Sequence, residues 1–232
     1  MKKALCVALV AAIAMPAFAQ IFHNSTRVTG ADNQVFITDN AGLLTGQYSQ
    51  IAGAAQDAWG YRDGMTDGTY VYFGWGGGVA RHNADGSGGI LQIGGAAPGG
   101  VGTWRALAYD PTGNSGAGSI WTASFGSVLI ETDMSGTLLN SFPSVASLYG
   151  LSYDDTDGNL WGHDGGGDIL KIDSTTGALM PGIGWTAGPW TAIAAQGGLS
   201  GFSELGGNLA AIAQGTPDEL GVYDTAASQA GG

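Results

Sequence analysis

Three histidines, His23, His82 and His163, and a scatter of carboxylates are the groups through which this chain could move protons. Only His163 has a carboxylate beside it, at Asp164, with Asp168 further along. An imidazole beside a carboxylate can take up a proton and return it. His163 and Asp168 are therefore the acid/base candidates if the chain is an enzyme. The pattern is thin, because neighbouring residues on a strand point to opposite faces. A metal centre would need three or four converging ligands, so others would have to come from elsewhere. There is no G-x-S-x-G elbow, and Gly76-Gly77-Gly78 reads as a flexible loop rather than a phosphate cradle. On these residues the chain leans towards a non-catalytic role.

A second constellation is acidic. Asp155, Asp157 and Asn159 stand at the first, third and fifth positions of a calcium-loop pattern. Leu160 occupies the place of the turn glycine, and Gly166 the place of the closing glutamate. Asx turns that cap their own backbone explain the run more simply. No cofactor is expected, and calcium at this loop is the minor alternative.

The elements that must position these residues come from a repeat. Trp104 to Leu138 and Tyr149 to Leu179 share one order: an aromatic start, apolar-x-Tyr-Asp, Gly-x-apolar-Trp, an alternating run, Asp, then a turn and Gly. A third copy runs from Trp59 to Gly86. Trp59, Trp104 and Tyr149 are each 45 residues apart. Apolar residues alternate in twos, as in strands, and lack the i, i+3, i+4 spacing of helices. Units of 40–50 residues with several short strands are the signature of propeller blades. The 43 glycines suit a chain dense in tight turns, and seven Trp, eight Tyr and seven Phe supply the core that a disordered glycine-rich chain lacks.

The segments LSYDDTDGNLWG (151–162) and DILKIDSTTGAL (168–179) resemble the blades of exported bacterial propellers of the NHL, YVTN or lyase-like type. That resemblance implies a fold and leaves function open. The expected fold is all-β, a propeller of about five four-stranded blades. The units fall at about 21–50, 59–96, 104–142, 149–184 and 199–232. The last unit lacks an obvious fourth strand. Either residues 21–28 supply it and close the ring, or the ring is incomplete and the chain a fragment.

Propeller topology gathers the b–c and d–a connections on one face. Trp59, Trp75, Trp104, Arg105, Tyr149, His163 and Asp164 are expected around that mouth. Aromatic faces with a few carboxylates suit a sugar. The expected role is thus a non-catalytic binder of a glycan, surface polymer or protein. The alternatives are a hydrolase or lyase acting on a sugar or lactone, and a structural surface or matrix component. Trp121 and Trp161 lie inside strands and belong to the core.

The ends and the charge set the compartment. Lys2 and Lys3, a short apolar run, and Ala17-Phe18-Ala19 read as a signal peptide over 1–19, leaving a domain over 20–232. The run is too short to span a bilayer. Export to the periplasm or the extracellular space is expected, with no integral membrane segment. The one cysteine, Cys6, lies within the signal, so disulfides and thiol catalysis are excluded. Seven basic residues against nineteen acidic give a net charge of −12, which argues against a nucleic-acid partner.

Overall fold

The computed structural model describes residues 21–26, 31–39, 43–185, 195–200, 207–214 and 219–224. The expected signal peptide lies outside them. Among the described residues, eighteen strands form five antiparallel sheets. The first holds β1 (Ile21–Thr26), β2 (Gln34–Asp39) and β3 (Leu44–Ser49). A one-turn helix, α1 (Ala52–Ala55), leads to the second: β4 (Gly64–Thr66), β5 (Tyr70–Trp75), β6 (Gly78–Asn83) and β7 (Ile90–Gly94). The third holds β8 (Ala106–Asp110), β9 (Ser119–Ala123), β10 (Leu129–Asp133) and β11 (Leu138–Phe142). The fourth holds β12 (Leu148–Asp154), β13 (Asn159–Asp164), β14 (Ile169–Ile172) and β15 (Leu179–Trp185). The fifth holds β16 (Ala195–Ser200), β17 (Asn208–Gln214) and β18 (Glu219–Asp224). The chain is the all-β propeller of about five blades that its repeat leads one to expect. Among the described residues no helix is long and apolar enough to cross a membrane.

Each blade runs from the axis outwards, and burial follows. β8 and β12 are covered on both faces, which is why Ala-Leu-Ala and Gly-Leu-Ser carry no clean alternation. The outer strand β11 is largely exposed, Leu138 and Leu139 included. Between the sheets lie Trp104, Leu107, Ile120 and Ile130 on one side of the third blade, and Trp121, Leu129, Leu148, Leu151 and Leu160 on the other. Trp161 packs with Ile169, Leu199 and Leu209 in the next layer.

The Tyr-Asp signature is a turn device. The Asp110 carboxylate accepts from the Thr112 and Gly113 N–H groups, and Asp154 accepts from Thr156 N–H. Asp133 and Asp173 cap the outer turns in the same manner. Self-satisfied turns of this kind leave no orphaned donors at the hairpin ends.

Closure by the N-terminal strand is not what the structure has. β1 pairs with β2 inside the first sheet over Ile21–Thr26, so it does not complete the last blade. The inner strands β4, β8, β12 and β16 instead stand side by side in that order, and β16 touches β4. Asp63, just before β4, lies at their centre. Its Oδ2 accepts from Leu107 N–H at 2.8 Å and Leu151 N–H at 3.0 Å, and its Oδ1 accepts from Leu199 N–H at 3.0 Å. One carboxylate therefore ties four blades together.

Candidate functional site

The mouth is built from the ends of the inner strands. Gly74 donates to the carbonyl of Asp63 and accepts from Arg62 N–H, which extends the β4–β5 pairing and fixes Arg62 beside the axis. Gly74 also lies against the Trp104 carbonyl, where a Cβ would come within 2.3 Å of the oxygen. Only glycine lets the second and third blades approach so closely. In the loop before β4, Asp57 accepts from the N–H groups of Trp59 and Gly60, both at 2.9 Å, and holds Trp59 out into solvent. Phe125, in the β9–β10 turn, takes a left-handed φ of 53° and is exposed. Its backbone pairs with Leu148, which brings it to Tyr149.

Two arginines stand at these strand ends, Arg62 hydrogen-bonded through its N–H to Gly74, and Arg105 next to the Trp104 carbonyl that Gly74 touches. The Arg105 guanidinium carbon lies 3.7 Å from the Phe125 ring centroid and 5.1 Å from that of Tyr149. The two rings stand edge to face at 5.0 Å. Arg62 lies 5.4 Å over Trp59 and 3.9 Å from Asp57. Burial pulls the Arg62 guanidinium down to about 10, the charge of Arg105 pulls the same way, and Asp57 opposes both. Burial also lowers Arg105, while Tyr149 and Asp63 hold it up. The Nε atoms of both arginines are buried and without a partner among the described residues. Below them burial pushes the Asp63 carboxyl well up, against backbone N–H donors from Leu107, Leu151, Gly64 and Leu199.

Of the residues singled out in the sequence, the structure brings Trp59, Arg105 and Tyr149 to one mouth. The Asp164 turn borders it, since Gly165 lies against the Tyr149 ring. The Asp164 carboxylate is occupied with its own hairpin, accepting from Gly166 and Asp168 N–H. Trp104 is elsewhere: fully buried, with its indole N–H donating to the Gly95 carbonyl. Trp75 is half-buried rather than exposed. Gly53 and Gly77 cover its ring because they lack a Cβ, which at either place would come within 2.6 Å of the indole. His163 is fully enclosed in β13, so it does not reach solvent beside the half-exposed Asp168.

Arg62 and Phe125 were not singled out, although both sit where the sequence has a signal. Arg62 immediately precedes strand a in an arginine-poor chain, and Phe125 opens a b–c turn. At the acidic loop, the Lys171 ammonium bridges Asp154 and Asp157, the latter at 3.1 Å, and lies over Trp161. A cation of the chain's own thus already holds one of the three candidate ligands, Asp157, together with the neighbouring Asp154. Among the described residues no group of three or more His, Cys, Asp or Glu could hold a metal.

No family model matches the chain, so its blades are assigned to no repeat family, and no curated protein matches it in sequence. Solved structures do resemble it. A glutaminyl cyclase from Myxococcus xanthus has a TM-score of 0.59 at 14% identity, over 88% of this chain and 87% of that one. A protein of unknown function from Bacteroides caccae has a TM-score of 0.44 at 14% identity, over 82% of this chain and 65% of that one. The first likeness shows the propeller fold. It also corrects the functional expectation, because the propeller matched across nearly the whole chain is an enzyme. The expected non-catalytic binder is set aside.

Proposed function

We propose that the chain is a propeller enzyme working at the Arg62–Arg105 mouth, and that its reaction is of the glutaminyl-cyclase type. In that reaction the α-amine of an N-terminal glutamine attacks the carbon of its own side-chain carboxamide. The new C–N bond closes a lactam, the old C–N bond breaks, and ammonia leaves. The proton lost by the attacking nitrogen ends on the leaving nitrogen. The observation that carries the proposal is the Arg105 guanidinium, which no carboxylate approaches within 4 Å among the described residues, held between Phe125 and Tyr149 above Asp63.

The roles follow from charge. Arg105 is placed to stabilise the oxyanion that forms on the carboxamide oxygen. A preorganised cation in a half-buried mouth does this with little reorganisation. Asp57 on the rim holds the α-amino group and relays its proton. Trp59, Phe125 and Tyr149 enclose the short aliphatic part of the glutamine. Export, expected from residues 2–19, would place the enzyme among extracellular or periplasmic peptides.

The test is release of ammonia from H-Gln-Ala-NH2, with lactam formation followed by mass spectrometry. Turnover is expected, and Arg105→Ala should lower kcat/KM by roughly 10²–10³. Arg105→Lys should recover part of the loss. A folded wild-type protein that releases no ammonia would sink the proposal.

A further inference from the structure

We infer that the Arg62–Arg105 pair is a carboxylate subsite, selecting substrates that carry an acidic group close to the reacting end. The inference rests on the mouth described above, but it is read by binding and so is separable from turnover. Arg62 N–H donates to the Gly74 carbonyl, and Gly74 lies against the Trp104 carbonyl next to Arg105, so the two arginines start from adjoining strand ends, where the charge of Arg105 lowers the proton affinity of Arg62. Each has an unpartnered Nε, Arg105 has no carboxylate within 4 Å among the described residues, and Arg62 has Asp57 only at 3.9 Å. In a chain of net charge −12, carboxylates are plentiful and free arginines are not. Leaving Arg105 without a carboxylate, beside an Arg62 that has only one at 3.9 Å, is the state expected of a site whose anion arrives from outside.

The shape of the mouth narrows the anion. Phe125 and Tyr149 pack on the Arg105 side and Trp59 on the Arg62 side, so the cations are flanked by flat apolar faces. A planar carboxylate can accept from both guanidinium groups while its carbon chain lies on the rings. The overall field of the protein repels anions. Affinity for one must therefore come from this local pair. An acidic side chain at the second residue of a peptide and a free carboxylate on a dipeptide offer the same chemistry.

Phenylacetate and its neutral isostere phenylacetamide are the probes, titrated calorimetrically into the full protein at low salt. Phenylacetate should bind at least about tenfold more tightly, as expected for a charge-assisted pair of hydrogen bonds. Arg62→Gln and Arg105→Gln should each remove most of that difference. H-Gln-Asp-NH2 and H-Gln-Ala-OH should displace phenylacetate better than H-Gln-Ala-NH2. Whichever of the two competes better identifies the source of the carboxylate. Equal affinity for the two probes, binding of neither, or phenylacetate binding that survives both substitutions overturns the inference. The wild-type comparison needs no variant, so misfolding of a variant cannot blur it. Phenylacetate binding without ammonia release would keep the subsite and remove the reaction.

Discussion

Asp63 is the residue on which the most structure depends. It lies one residue ahead of Gly64, which holds before the turn aspartate Asp67 the place that Leu107 and Leu151 hold before Asp110 and Asp154. Its carboxylate is 5% exposed and gathers backbone donors from three other inner strands. Asp63→Ala would leave those N–H groups buried without an acceptor, and should cost about 3–5 kcal/mol in chemical denaturation. Asp63→Asn keeps the shape but turns an amide N–H towards some of the donors, so it should fall between wild type and alanine. A loss for Asp63→Ala within about 0.5 kcal/mol would refute the clasp, since that is the range of ordinary surface changes. None of this was legible in the sequence, where Asp63 is one of nineteen acidic residues. Arg105 was legible because basic residues are scarce. Trp104 was misleading, since a tryptophan at a blade start serves equally to fill the space between blades.

At the scale of elements, the seam between the first and second sheets is the most polar. Val35, Tyr61, Phe73 and Ala80 pack across it, with Tyr48 beside them. Tyr61 Oη accepts from Ile51 N–H and lies 2.8 Å from His82 Nε2. His82 Nδ1 lies 3.2 Å from the Gly86 carbonyl, which can only accept, so the proton sits on Nδ1 and Nε2 accepts from the tyrosine. His23, on β1, pairs through Nδ1 with Tyr48 Oη at 2.9 Å. Burial lowers both imidazoles, and His82 lowers His23 further. The unfolded chain therefore binds more protons than the fold as pH falls below about 6.5, and stability must fall with it. Tm should be lower at about pH 5 than at about pH 7.5, and His82→Asn should flatten that slope although it also weakens the seam. A Tm that is flat across the range in the wild type would contradict the burial of these rings. The strands here were readable from alternation, and the capping turns from their Asx residues. The seam was not, because His23, Tyr48, Tyr61 and His82 come together only in three dimensions.

The whole molecule has an acidic surface and an apolar rim. Leu44 on β3, Ile90 and Leu91 on β7, Leu138 and Leu139 on β11, and Leu179 on β15 are exposed on outermost strands. Such edges invite pairing unless charge keeps copies apart. At neutral pH the net charge of −12 does so. Near pH 4, where carboxylates take up protons, the protein should associate, as read by light scattering. Leu139→Glu would keep its charge only partly there, whereas Leu139→Lys should suppress association more. Absence of association for the wild type near pH 4 would show that the rim is inert. The period was written in the sequence, and so were the four strands of each of the three middle blades. What joins the inner strands was not, because four of them meet on a single side chain that no spacing in the sequence marks.

The reach of the Asp63 clasp has a consequence for the order in which the molecule assembles. Its three partners lie 44, 88 and 136 residues further along the chain. Local hairpins can form early, but contacts across such separations pay their loop entropy before any return. Until Leu199 arrives, the carboxylate has an unfilled share of donors. The clasp is thus complete only when the last blade arrives, and a nascent chain stopped short of β16 would hold its hairpins without that tie.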